Sequence, residues 1–178
     1  MAERDPATGL ARPVFDRPTR VLIVAAPFYR EIADALIAGA GAALGAAGVA
    51  QETVEVPGAL ELAPAIGLAA RSKAYDGFVA LGCVIRGETT HYETVCAESA
   101  RGLTLLGLDG VPIGNGILTV ENRAQAEARA DPTGMDKGGG AAEACLHLIA
   151  LARRFAPPRR SPPDTGIRIA AARGPRRA

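Results

Sequence analysis

Apolar residues in this chain follow two rhythms that alternate along its length. The run RVLIVAA (20–26) is almost continuously apolar, the pattern of a short strand buried on both faces. In the following PFYREIADALIAGAGAALGAAGV, Ile32, Leu36, Ala40, Ala43, Leu44 and Ala47 recur every three or four residues, which predicts a helix face. Gly39, Gly41 and Gly45 fall inside that helix. Each costs about 1 kcal/mol relative to Ala, so close packing against a neighbour is expected to compensate. The alternating ETVEV (52–56) predicts a second strand, closed by Pro57-Gly58, and ALELAPAIGLAARSK a second helix. GFVALGCVI (77–85) predicts a third strand, fully buried. HYETVCAESARGLTLLG predicts a third helix with Val95, Ser99, Gly102 and Leu106 in register. VPIGNGILTV (111–120) predicts a fourth strand, and a short helical stretch then leads to a last helix in GGGAAEACLHLIALARRF.

Strands alternating with helices in this way imply βαβ units with right-handed crossovers, and so an α/β domain whose parallel sheet is covered on both faces. In such sheets ligands gather beyond the carboxyl ends of the strands. Pro57-Gly58, Arg86-Gly87 and Asn115-Gly116 all stand at or near those ends. Residues 1–19 are polar and contain proline, and read as an extended arm. Residues 20–156 read as the domain, and 157–178 as a disordered tail rich in Pro and Arg.

Composition sharpens this picture. The 178 residues are 48% hydrophobic with no Trp, which suits Ala-rich helices on a β-branched sheet better than an aromatic-filled sandwich. Six arginines and one aspartate give the tail a net +5. Against a formal +1 for the whole chain, the body carries −4, which does not fit a whole-domain nucleic-acid binder. Cys83, Cys96 and Cys145 are odd in number and lack metal-ligand spacing, so free thiols in a reducing, cytoplasmic setting are expected. No charged-then-apolar leader opens the chain, and no apolar run approaches the roughly 20 residues that span a bilayer.

The chemistry concentrates in LGCVIRGETTHYETVC (81–96), where one of only two histidines follows a polar turn at a strand end. Thr90-x-x-Glu93 has capping-box spacing, which makes Thr90 a candidate N-cap. The first-turn amides, the helix dipole and the Thr89 and Thr90 hydroxyls would then form a phosphate cradle, with Gly87 permitting the turn. His91 would stand within that first turn, where an imidazole can move protons on a phosphorylated substrate. The alternative is a helix cap at a surface turn and nothing more. His147, flanked by Leu146 and Leu148, reads as structural or solvent-facing.

VIRGETTHYETV, with VPGALEL before it and GNGILTVEN…ARA…DKGG after it, closely resembles the lumazine synthase family, over about residues 20–155. The resemblance implies a three-layer, flavodoxin-like α/β domain with a four-stranded parallel sheet flanked by helices. It further implies condensation of 5-amino-6-(D-ribitylamino)uracil with 3,4-dihydroxy-2-butanone 4-phosphate to 6,7-dimethyl-8-ribityllumazine, with no metal or redox cofactor. The implied partners are further copies of the chain, in a pentamer or its multiples with sites between subunits, and riboflavin synthase.

Residue by residue, Phe28 matches the family's aromatic that stacks on the pyrimidine. Ala59, Leu60 and Glu61 match the segment holding the ribityl chain and ring, and Cys83, Val84 and Ile85 the backbone contacts to the pyrimidine edge. Glu88 and Thr89 match the phosphate turn, His91 the proton carrier, and Arg129 and Lys137 the cations at the phosphate. Asn115 departs from the pattern, standing where many members carry an aromatic that covers the ring. A rival reading is a non-catalytic lumazine- or flavin-binding protein, or a shell-forming assembly protein. A flavodoxin-type electron carrier shares only the topology.

Overall fold

The computed structural model describes residues 10–156. Four strands, β1 (Arg20–Ala25), β2 (Ala50–Glu55), β3 (Gly77–Ile85) and β4 (Ile113–Val120), form one sheet in the order β2-β1-β3-β4. Every pairing is parallel. The connections are α1 (Arg30–Ala46), a single 3-10 turn (Ala59–Glu61) running into α2 (Leu62–Ala70), α3 (His91–Leu108), and α4 (Arg123–Ala130), with α5 (Lys137–Phe155) last. The α/β class, the four parallel strands and the flavodoxin-like order all agree with the expectation.

Side-chain alternation along β1 separates two cores. Val21, Ile23 and Ala25 face one side, where Leu36 and Leu44 of α1, Ala126 of α4 and Leu146 and Ile149 of α5 meet them. Leu22, Val24 and Ala26 face the other, against Leu62 and Ile66 of α2 and Leu103 of α3. The layers are therefore α1, α4 and α5, then the sheet, then α2 and α3. Continuous apolar runs are legible as strands because β1 and β3 must satisfy both layers at once.

β2 departs from its reading as a half-buried alternating strand. All six residues are exposed, because β2 is an edge paired only with β1 while the helices cover the sheet's middle. The close-packing expectation for the α1 glycines also holds only in part. A Cβ on Gly39 would overlap the Asp136 carboxylate, and one on Gly138 of α5 would overlap the Leu36 carbonyl, so α1 and α5 approach through small residues. Gly41 would meet only the tip of Gln51, and Gly45 nothing, since both lie on the outer side of α1. On the opposite layer a Cβ at Gly102 would stand 2.8 Å from Ala63 Cβ, which sets the α2–α3 approach.

Residues 10–19 form neither helix nor strand, but they are attached to the body. Arg12 Nε donates to Glu143 Oε1 on α5 at 2.8 Å. Phe15 packs against the first core beneath the Arg153 guanidinium, 4.8 Å from its ring centre. Arg153 Nη2 donates both to Thr19 Oγ1 at 2.8 Å and to Asp76 Oδ1 at 3.0 Å. The tail expectation for residues 157–178 lies outside the described residues. No helix among the described residues is long and apolar enough to cross a membrane.

A Cβ at Gly114 would overlap the backbone carbonyl of Ala141, which has no side chain to swing aside. Gly114→Ala is therefore expected to cost about 1–3 kcal/mol, read as a lower urea midpoint. Gly45→Ala, in open space, should leave the midpoint unchanged or raise stability by about 0.5–1 kcal/mol.

Candidate functional site

The carboxyl ends of β1, β2 and β3 open into one cavity of about 400 Å³. β1 delivers Phe28, which is exposed over most of its surface and meets Tyr29 edge-on at 5.1 Å. Ala26 N–H donates to the Leu81 carbonyl at 2.8 Å, holding the strand end beside β3. The segment after β2 adds Ala59, Leu60 and Glu61, and the end of β3 adds Cys83, Val84 and Ile85. Gly87, Thr89 and His91 complete the wall, joined by Tyr92 and Val95. Glu88 is exposed on the same turn but outside the cavity lining. Burial pushes the Cys83 thiol up to about 11, so it is neutral at pH 7.

The turn into α3 differs in one respect from the capping box read from the sequence. Thr90 is the N-cap residue, but its backbone is already helical (φ −67°, ψ −1°) and its side chain makes no cap hydrogen bond. A capping hydroxyl needs an extended backbone to reach the N3 amide. Glu93, the other half of the box, pairs instead with Arg86. The start of α3 thus lacks a capping hydroxyl, and His91, its first residue, is exposed there.

Asn115, Arg129 and Lys137 lie elsewhere. They line a second cavity of about 880 Å³ along the outer edge of β4 and the face of α5, together with Glu143, His147 and Leu10. Arg129 Nη1 donates to the Gln125 carbonyl of its own helix at 3.0 Å. Lys137 opens α5, whose N-cap Asp136 sits in the left-handed region (φ 40°) and accepts from Gly139 N–H at 2.9 Å. Asn115 Oδ1 accepts from Ile117 N–H at 3.0 Å, so its side chain is engaged with its own strand. His147 is half-buried in this cavity.

The structure therefore sorts the candidate residues into two groups. Phe28, Ala59, Leu60, Glu61, Cys83, Val84, Ile85, Thr89 and His91 stand together; Asn115, Arg129 and Lys137 stand together on another side. Sequence reasoning missed Tyr92 and the charge network behind it. Arg86 lies 4.1 Å above the Tyr92 ring, donates from Nε to Glu121 Oε2 at 2.7 Å and pairs through Nη1 with Glu93. The Arg86-to-Glu93 pairing spans the turn and joins residues seven apart, a spacing that marks no single element. Further round the rim, Arg30 pairs with Glu55, and Arg123 with Glu31 and Glu127. These guanidinium groups hold the Glu55 and Glu93 carboxyls below their ordinary values.

A doubly covered parallel sheet in the order 2-1-3-4, with its cleft at the strand ends where the chain crosses from one side of β1 to the other, defines a flavodoxin-like α/β protein with a small-molecule site. The chain belongs to the 6,7-dimethyl-8-ribityllumazine synthase family, whose model matches residues 18–153. It is 58% identical over 150 residues to the 6,7-dimethyl-8-ribityllumazine synthase of Jannaschia sp., covering 84% of each chain. It is 60% identical over 136 residues to that of Novosphingobium aromaticivorans, covering 76% of this chain and 98% of the relative. The corresponding protein of Zymomonas mobilis is 53% identical over 136 residues, covering 76% of this chain and 98% of the relative.

With its thiol raised to about 11 by burial, Cys83 carries little thiolate below pH 9. In native protein at pH 7.5 it should resist iodoacetamide, and labelling should rise as pH approaches that value. Mass spectrometry of labelled peptides checks this, with urea-unfolded protein as the control in which all three cysteines react.

Proposed function

We propose that this chain condenses 5-amino-6-(D-ribitylamino)uracil with 3,4-dihydroxy-2-butanone 4-phosphate, releasing phosphate and water and giving 6,7-dimethyl-8-ribityllumazine, in the cytoplasm. The relatives bearing that product's name support the reaction. One observation supports how the site is completed. Among the described residues, the cavity holding Phe28 and His91 has no Lys or Arg in its lining, whereas Arg129 and Lys137 line the other cavity. A phosphate dianion bound by the turn at residues 87–90 calls for a cationic partner. A second copy that sets its β4 edge and α5 against this cavity supplies it. The active unit is then a homo-oligomer, a pentamer or a multiple of one, and association with riboflavin synthase extends the same reading.

In that arrangement Phe28 stacks on the pyrimidine, and Ala59, Leu60 and Glu61 hold the ribityl chain. The carboxylate of Glu61 accepts hydrogen bonds from ribityl hydroxyls. The backbone of Cys83, Val84 and Ile85 pairs with the ring edge, a role for which a neutral thiol is innocuous. Glu88, Thr89 and the open start of α3 bind the phosphate, with Arg129 and Lys137 of a neighbouring copy. Asn115 of that copy leaves its side of the ring without aromatic cover. The uracil's 5-amino nitrogen attacks the ketone carbonyl, and loss of water gives an imine. Phosphate then leaves, tautomerisation of the resulting enol gives a new ketone, and the ribitylamino nitrogen attacks that carbonyl with loss of a second water to close the ring. His91 carries protons between these steps. Holding two substrates in register provides most of the acceleration, and proton transfer adds to it. Residues 20–156 form the catalytic domain in this reading, with 10–19 as the described part of its arm.

His91→Ala is expected to lower kcat by about tenfold or more without abolishing turnover, since positioning survives. Lumazine appearance over the uncatalysed background measures it, and wild type no faster than background would overturn the activity. Arg129→Ala should raise KM for the phosphate substrate by about tenfold and leave the pyrimidine KM within about twofold. Unchanged kinetics for the phosphate substrate would refute the phosphate role of Arg129.

A further inference from the structure

We propose that Arg86 is a positioning residue: by engaging Glu93 and Glu121 together, it offsets the two carboxylates that flank the turn and so keeps the start of α3 fit to receive a phosphate. The inference rests on the phosphate reading of that turn and assigns a residue which that reading leaves without a role.

The electrostatics of the turn pose a problem that Arg86 answers. The positive end of α3 favours an anion, but Glu93 already stands in the first turn and Glu121 at the adjacent end of β4. The Glu93 carboxyl is held below its ordinary value, first by Arg86 and then by its own backbone N–H, so it stays charged at pH 7. An ionised carboxylate there competes with a dianion for the same potential. Among the described residues, the lining of the cavity contains no Lys or Arg to offset it. Arg86 is the group that does, from outside the cavity.

Three attachments fix it in that role. Its N–H donates to the Val120 carbonyl at 2.9 Å, tying the turn to the end of β4. Its Nε holds Glu121 at 2.7 Å and its Nη1 holds Glu93. Its guanidinium carbon sits over the Tyr92 ring, 4.1 Å from the ring centre, and Tyr92 lines the cavity beside His91. Arg86 therefore acts on a ligand through Glu93, Tyr92 and the turn. Lysine has the charge but not the fork that spans two carboxylates.

The test uses the full chain with Arg86→Gln, Arg86→Lys, Glu93→Gln/Glu121→Gln and the triple variant combining Arg86→Gln with both. Two readouts are taken: steady-state kinetics in each substrate, and the Kd of inorganic phosphate by calorimetry without substrates. Arg86→Gln is expected to raise both the phosphate-substrate KM and the phosphate Kd by about tenfold, with the pyrimidine KM within about twofold. Arg86→Lys should fall between. The triple variant should return to within about threefold of wild type, because the carboxylates needing an offset are gone. A merely structural arginine would not be rescued by removing its partners. The proposal is overturned if the triple variant stays as weak as Arg86→Gln, or if Arg86→Gln leaves phosphate binding unchanged. Should Arg86→Gln fail to fold, the Glu93→Gln/Glu121→Gln pair decides. With Arg86 released it should bind inorganic phosphate more tightly than wild type, and equal or weaker binding overturns the proposal. Wild type that binds phosphate without turnover would sink the synthase reading alone. Wild type that does neither would sink both.

Discussion

The parallel pairing of β1 with β3 at the centre of the sheet is the constraint from which the rest of the structure follows. Two adjacent parallel strands cannot be joined by a hairpin, so each connection must travel back along a face of the sheet, and a helix is the economical way to do so. Both faces of β1 and β3 are thereby buried over Val21–Ala25 and Gly77–Cys83. The same parallelism sends every carboxyl end to one side of the molecule. Phe28, the Gly58–Glu61 segment and the Arg86–Thr90 turn meet there because three strands finish together. No separate device is needed to assemble the cavity wall.

The close approach of the elements is set by residues that have almost no side chain. Gly114 of β4 lets α5 down onto the sheet at Ala141, Gly138 brings α5 against Leu36 of α1 within one layer, and Gly102 brings α3 to Ala63 of α2 within the other. Alanine-rich helices with few aromatics are suited to such short spacings, and dispersion contacts grow as the layers close. The low aromatic content is thus a packing choice of the whole domain. Of the two exposed phenylalanines among the described residues, Phe28 lines the site and Phe155 ends α5.

How much of this was legible depended on how local the physics is. β1, β3, α1 and α5 announce themselves through periodicity because each buries a face. β2 has the right alternation but sits at an edge, and a strand's place in the sheet is not written in its own residues. The grouping of Phe28, Glu61, Cys83 and His91 was implied by the family resemblance, and the structure brings all four to one cavity. Thr90 and Glu93 had capping spacing, but a charged competitor seven residues before Glu93 took the carboxylate away. Spacing states what is possible within a turn; it does not state which partner wins. The separation of Arg129 and Lys137 from His91 was invisible for a related reason. Motif spacing carries no mark of which cavity a residue lines.

The clasp at the opposite pole has a consequence for how the chain comes to be. Arg153, near the end of α5, bonds to Thr19 across 134 residues and to Asp76 across 77, and covers Phe15. Cys145, Leu146 and Ile149 complete the core on the α1 side. During synthesis from the N-terminus, β1 and α1 therefore emerge long before the helix that covers them, and loop closure over that span comes late. The growing chain must wait with an apolar flank open until its final helix leaves the ribosome. A ribosome that stalls before residue 145 leaves a nascent protein with most of its sheet and no lid.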